Sequence, residues 1–364
     1  MKLAGGGSGE HWSGQKEKAG PWQMGLFFFL FRLLPPKLLS ILAYPVGFCY
    51  FLFSRNSRRE SRRFLGRLEI CRAPGPHGGP SKTSDRAFFS PANSEAPAGK
   101  GLSALGHITA FALAVVEKAQ AWAGRIPFKR IHFQDDDITA LIGGLEQGKG
   151  AVLLCSHLGN TELLRALADY RHTGVSRDIP VTSIADFEVT PFFNRMVAKV
   201  NPRSLLKIIS ANSIGPDSIV ILKEEIEQGG LAVIAGDRTS THNRRRIFSI
   251  PFLGVEAPFP QGPWLLAALL EAPVYAVFAL RRRDLSPAPD YDMHVHRLAP
   301  DPAPREKSPA ESGPSRKERA RRMENWARQF AALLEGHCLQ HPYQWYNFYD
   351  FWASKELEDE DGQH

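Results

Sequence analysis

The sequence predicts an α/β fold: a mixed, largely parallel sheet flanked by helices, with an N-terminal membrane-anchor helix ahead of it. Three observations carry this reading. Uncharged apolar runs at 151–155, 180–184, 231–235 and 273–280 have the length and continuity of strands buried on both faces. Segments with helical apolar spacing at 138–147, 161–171, 191–199, 217–227 and 262–271 alternate with those runs, as the helices of β–α units do. Finally, Met24–Phe31 and Leu38–Phe53 carry no charge. Neither stretch reaches the ~20 residues that a straight span needs. Together they are long enough to cross a bilayer with a proline kink, or to lie partly re-entrant.

Along the chain, 1–23 is polar and glycine-rich and reads as a flexible start, and 24–70 reads as the anchor plus a basic juxtamembrane helix. In the latter, Arg55, Arg58, Arg59, Arg62 and Arg63 recur at i, i+3, i+4, i+7 and i+8, which lines five guanidiniums along one helical face. A solvated face or a nucleic-acid contact fits the same pattern. The apolar segment directly upstream favours anionic lipid headgroups on the cytoplasmic side, and no nucleic-acid partner is expected. Residues 71–100 are rich in Pro, Gly, Ser and Ala and read as an insertion. The main domain is expected over 101–352, opening with a helix over 104–122. Residues 284–318 are proline- and charge-rich, interrupted by a possible edge strand at Met293–Leu298. A last helix carries Met323, Trp326, Phe330, Leu333 and Leu334 on one side, followed by the aromatic cluster Tyr343–Trp352 and an acidic tail, 353–364.

The chain has 364 residues, 43% hydrophobic and 23% charged, enough for one large core or two modest domains. A net charge of +7 suits an anionic membrane surface, a nucleic acid or an acidic protein. Four scattered cysteines, Cys49, Cys71, Cys155 and Cys338, suggest neither a disulfide framework nor a zinc site and fit a reducing compartment. No internal repeat, Walker loop or dinucleotide fingerprint is present.

Chemistry concentrates where apolar runs end. Ala151–Cys155 leads into Ser156-His157-Leu158-Gly159-Asn160-Thr161-Glu162. This places a histidine on a tight turn past a strand and a carboxylate in the next helical turn. A general base and its orienting acid can be built this way: the carboxylate fixes the imidazole tautomer and stabilises the imidazolium. A histidine that merely ends a strand, with a first-turn acid favoured by the helix dipole, fits the spacing too. Cys155 can reach the face of His157 as a nucleophile, although a small buried strand residue is the simpler role. The second run, Leu231–Ala235, ends in Gly236-Asp237-Arg238. Active groups of α/β sheets gather at the carboxyl ends of strands, so Asp237 and Arg238 are expected to share a crevice with His157. Arg238 can bind a phosphate or developing oxyanion through its planar fork, or pair with Asp237 or Glu162. Gly262-Pro263 opens a helix whose free N–H groups make a common kind of anion site, although prolines at helix starts are ordinary.

Taken in order, S-H-L-G-N-T-E at 156–162, G-D-R at 236–238, I-P-F-L-G-V-x-A-P-x-x-x-G-P at 250–263 and Q-W-Y-N-F-Y-D-F-W at 344–352 resemble the lipid A late acyltransferases. That family lies within the glycerolipid and lysophospholipid acyltransferase group, which shares an H-x-x-x-x-[D/E] motif. The W-x-x-x-K-E-x-A-G at 12–20, the anchor and the arginines fit as well, and the likeness spans about 11–70 and 101–352. It implies transfer of a fatty acyl chain from an acyl carrier protein thioester, or acyl-CoA, to a hydroxyl of a lipid A-like glycolipid or lysophospholipid. The place of work would be the cytoplasmic face of a bacterial inner membrane, with no metal, no other cofactor and no obligatory acyl-enzyme. It also implies His157 as general base, Glu162 as its orienting partner, Asn160 and Gly159 shaping the turn, and Asp237, Arg238 and Gly262 lining the substrate site.

An apolar groove must hold the acyl chain, for which Phe187, Phe192, Phe193, Phe252, Phe259 and Trp264 are candidates, though such residues are more often plain core. Arg244–Arg246 can meet an acidic carrier protein. Two other readings stand beside the transferase: a lipid esterase or thioesterase, which lacks a Gly-x-Ser-x-Gly elbow around Ser156, and a catalytically inactive membrane-binding protein.

Overall fold

The computed structural model describes residues 21–73, 101–134, 137–164, 175–185, 206–238, 246–298 and 315–352. Residues 1–20, residues 74–100 of the insertion expected over 71–100, the helix over 191–199, most of the helix over 161–171, Phe187, Phe192, Phe193, Arg244, Arg245 and the tail after 352 lie outside those residues, whereas Cys71 and Arg72 end the preceding helix.

A seven-stranded sheet forms the centre, in the order β1 (Ile131–Phe133), β9 (Tyr291–Arg297), β8 (Val274–Arg281), β2 (Ala151–Cys155), β5 (Leu231–Ala235), β3 (Val181–Ala185) and β4 (Leu206–Ser210). Every pairing is parallel except β8 with β9. The uncharged runs thus become the central strands, β2 and β8 being buried along their whole lengths. Even-numbered residues of β2 and β5 (Val152, Leu154, Ala232, Ile234) enter one apolar layer. Their odd-numbered neighbours enter the other. The first layer is covered by α3 (Arg55–Arg72), α6 (Pro216–Glu227), α7 (Gly262–Leu270) and α8 (Arg316–Gln340), the second by α5 (Asp137–Glu146).

One strand-level expectation changes, and further strands appear outside the predicted runs. Met293–Leu298 is not an edge: β9 runs Tyr291–Arg297 and is flanked by β8 and by the three-residue β1, too short to stand out by pattern. Leu206–Ser210, outside the predicted strands, is the outermost strand. The I-P-F-L-G motif folds as a separate hairpin, β6 (Ile247–Phe252) and β7 (Val255–Pro260). Its two-residue turn has positive φ at Leu253 (50°) and Gly254 (80°), the geometry that matches strand twist. The Glu335 carboxylate, accepting from the Leu253 N–H at 2.6 Å, ties this turn to α8.

The N-terminal apolar stretch is broken at Pro35 into α1 (Pro21–Leu33) and α2 (Pro36–Phe53). By length and composition α2 can cross a membrane. Leu26, Phe29, Leu33, Leu38, Ile41, Leu42, Val46, Phe48, Leu52 and Phe53 of the two helices are exposed. Arg58 of the basic stripe turns back to donate to the carbonyls of Phe51 and Leu52 at the end of α2, and Arg63 pairs with Glu60 and Asp350. Arg55, Arg59, Arg62 and Arg63 remain exposed.

The helix α4 (Ala104–Trp122) joins these parts. Leu113, Val116 and Ala119 pack on Phe31, Leu39 and Ala43, whereas Ile108, Ala110 and Ala114 pack on Tyr346 and Phe348. From α4, Glu117 pairs with Arg281 at 3.2 Å, both fully buried, and accepts from the Tyr291 hydroxyl. Replacing Arg281 by Met leaves that carboxylate without its counter-charge. We expect a loss of about 3–5 kcal/mol in urea unfolding of the detergent-solubilised protein. A loss below about 1 kcal/mol would mean the pair does not hold α4 to the sheet.

Candidate active site

The site forms where β2 and β5 end side by side. They pair in parallel with Cys155 opposite Ala235, and the Gly236 N–H donates to the Cys155 carbonyl at 2.8 Å. Each strand therefore presents the residue two further on at the same height, His157 from one and Asp237 from the other. Asp237 is fully buried. Its Oδ1 lies 2.8 Å from His157 Nδ1, and its Oδ2 accepts from the His157 backbone N–H at 2.8 Å and from Trp345 Nε1–H at 3.0 Å.

The carboxylate on Nδ1 is thus that of Asp237, which the sequence reading assigned to the substrate-binding wall. Glu162, expected in the orienting role, is a buried residue at the start of the helical turn after Asn160.

Electrostatics define the resting state. Burial works to raise Asp237, but the imidazole, its hydrogen bonds and Arg238 outweigh it and hold the carboxyl below its ordinary range. Burial and then the Arg238 charge push His157 down to about 4, against the pull of Asp237. At neutral pH the pair is a carboxylate and a neutral imidazole. An ionised carboxylate only accepts, so Nδ1 carries the hydrogen and Nε2 the lone pair. The imidazole stays 29% exposed.

Three contacts fix the turn bearing His157. Gly159 has φ +73°, and a Cβ there would stand 2.1 Å from the Ala279 carbonyl oxygen. Glycine is needed both for the left-handed backbone and for the close approach to β8. The Gly159 N–H donates to the Gln344 carbonyl and the Asn160 N–H to the Ala279 carbonyl, each at 2.9 Å. Asn160, buried, donates through Nδ2 to the Tyr291 hydroxyl at 3.3 Å.

The aromatic C-terminal segment, assigned no site residues from sequence, closes the site. Leu158 and Trp345 form an antiparallel bridge, and the Tyr346 N–H donates to the His157 carbonyl at 3.1 Å. Arg238 donates to Asn347 Oδ1 and the Tyr346 carbonyl, both at 3.0 Å, so it binds this segment to the end of β5. Gln344 exchanges hydrogen bonds with the Arg281 backbone at 2.9 and 2.8 Å. Behind it, His107 sits 2.9 Å from the Trp345 carbonyl and 3.0 Å from Ser61 Oγ, and burial pushes it down to about 4. Within the motif Q-W-Y-N the usable signal was chemical: an indole, an amide and a carboxamide are hydrogen-bonding groups in an otherwise aromatic run.

Other candidates lie elsewhere. Cys155 packs in the α5-side apolar layer, and Ser156 Oγ accepts from the Leu158 N–H. Gly262 begins α7, and no polar contact joins it to His157 among the described residues. Phe252, Phe259 and Trp264 are fully buried core. Phe252 meets Phe259 edge-to-face at 5.8 Å, and Trp264 meets Phe330 at 5.3 Å.

Trp345→Phe keeps the ring but removes one donor from the buried Asp237. We expect a stability loss of about 1–3 kcal/mol in thermal or urea unfolding. Unchanged stability would mean that another donor reaches Oδ2.

No curated protein matches the chain. The profile of one known family, described as bacterial lipid A biosynthesis acyltransferase, matches residues 109–353. That match takes in the turn of His157, the end of β5 and the C-terminal segment that closes over them, so the chain belongs to the bacterial lipid A biosynthesis acyltransferases.

Proposed function

We propose that this acyltransferase moves a fatty acyl chain from an acyl carrier protein or CoA thioester to a hydroxyl of a lipid A-like glycolipid or lysophospholipid, with His157 as general base. One observation carries the reading: His157 Nδ1 is held by a buried, ionised Asp237, which leaves Nε2 to take the proton of the acceptor hydroxyl. A thioester is already activated, so the direct attack of the alkoxide needs no acyl-enzyme. The base contributes roughly 10²–10⁴-fold in rate. The positive charge of Arg238 disfavours imidazolium before substrate binds. Once the tetrahedral oxyanion forms, the same charge stabilises it, and Asp237 stabilises the protonated imidazole; its collapse breaks the C–S bond and releases the carrier thiolate, which takes the proton back from Nε2. In this reading Asp237 orients His157, while Glu162, Gly159 and Asn160 support the turn. The reaction so written requires no further cofactor.

The exposed apolar faces of α1 and α2 fit insertion into a bilayer, with α2 spanning it or dipping into it. The exposed arginines of α3 follow directly and fit anionic headgroups of the cytoplasmic leaflet of an inner membrane. Arg246, exposed, together with Arg244 and Arg245, is offered as the contact for an acidic carrier protein.

The test uses detergent-purified protein, labelled acyl-carrier protein and a total polar lipid extract, with label followed into lipids by mass spectrometry. A new acylated lipid made by the wild type and not by His157→Ala is the expected outcome, and it names the acceptor. Free fatty acid as the sole product would make the protein a thioesterase. Donor left intact, with acyl-CoA tried as well, would favour a membrane-binding role.

Asp237→Asn should lower kcat by at least about 10²-fold without altering membrane association, because an amide presents a different hydrogen-bonding face to Nδ1. Near-normal kcat would return the orienting role to Glu162. The pH profile supplies a sign. Because His157 titrates near 4, kcat/KM should hold steady as pH falls from about 7 to about 5. Arg238→Gln removes a charge that lowers His157, so its acid limb must move upward, toward the ordinary value of about 6.5. A limb that stays in place, or moves down, contradicts this electrostatic arrangement.

A further inference from the structure

His294 and His296 alternate with the buried Met293 and Val295 on β9, so both imidazoles leave the sheet on the α8 side, opposite the layer that holds Met293 and Val295. There His337, from the last turns of α8, meets them. The ligating atoms of the three imidazoles all lie within 4.8 Å of one another, with His296 Nε2 and His337 Nε2 3.4 Å apart. The rings of His294 and His296 stand parallel, 9° between planes, and His294 lies 4.6 Å from His337 between ring centroids. Phe278 of β8 backs the cluster, 4.7 Å from the His337 ring.

Two ligand nitrogens of a tetrahedral zinc, each about 2.0–2.1 Å from the metal, stand about 3.3 Å apart. The His296–His337 separation already has that value. His337 is fully buried, so its ring is held in place where the other two imidazoles meet it. His294 and His296 are only partly buried, which provides an entry path.

We propose that His294, His296 and His337 form a binding site for a borderline divalent d-block cation, zinc by preference, that clamps β9 to the C-terminal end of α8. Three imidazole nitrogens suit zinc, nickel, cobalt or copper, and are poor for magnesium or calcium, which take oxygen ligands. The clamp is structural. α8 ends at Gln340, and the segment that follows carries Gln344, Trp345, Tyr346 and Asn347 to the site of His157. The four cysteines alone pointed to a chain without zinc, and the family resemblance to one without metal. These histidines depart from both, because the third ligand comes from a distant helix.

The experiment uses untagged full-length protein in detergent, stripped with a chelator and dialysed against Zn²⁺, with bound metal counted by mass spectrometry. His294→Ala/His296→Ala changes only partly buried residues, and His296→Gln serves if the double variant fails to fold. Wild type should take up one Zn²⁺ per chain and melt at higher temperature with it. The variant should bind at least about tenfold more weakly. Co²⁺ in place of Zn²⁺ should give the visible bands of a tetrahedral nitrogen site. Equal uptake by wild type and variant, no uptake by either, or a thiolate charge-transfer band with Co²⁺ would each overturn the proposal. None of these readouts depends on acyl transfer, so the outcome stands whatever the acceptor proves to be.

Discussion

A carboxylate with no exposure to water must find its hydrogen bonds inside the protein, and Asp237 organises the site by that demand. Its donors come from two distant parts of the chain, the turn after β2 and the C-terminal segment, while it is itself carried at the end of β5. Satisfying it requires adjacent, in-register strands, a turn that aims both the N–H and the imidazole of His157 at one oxygen pair, and an indole brought in over them. The left-handed Gly159, the Asn160–Tyr291 contact and the Gln344 bracket on β8 all maintain that aim.

The positive charge beside this carboxylate serves two purposes at once. Arg238 is committed to the Tyr346 carbonyl and to Asn347, so it stitches the last segment to the sheet. The same guanidinium makes imidazolium unfavourable in the resting protein. Structure and electrostatics are therefore not separable at that residue.

Much of this was legible in the sequence. Runs such as Ala151–Cys155 and Leu231–Ala235 are uncharged because central parallel strands are buried on both faces, and each strand appears within a residue of its expected place. His157, Asp237 and Arg238 stood out as polar residues at the ends of such runs. Which carboxylate faces Nδ1 was not legible, because it depends on β2 and β5 being neighbours although β3 and β4 lie between them in the chain. Glu162 looked the better partner only because it is near in sequence. Trp345 was hidden for a related reason: an indole in an aromatic run looks like core until its N–H is seen to have a buried acceptor. The three-residue β1 is too short for a periodicity to be read, and the outermost β4 is interrupted by Lys207, which pairs with Glu225, so it shows no continuous apolar run.

The antiparallel bridge between Leu158 and Trp345 sets the order in which the protein can mature. During synthesis α1 and α2 leave the ribosome ahead of the sheet, and His157 well before the residues that brace it. Until Trp345 and Asn347 emerge, Asp237 lacks a donor and Arg238 its anchor, so the imidazole is not yet aimed. The apolar helices can thus begin to fold while the site around His157 is still incomplete.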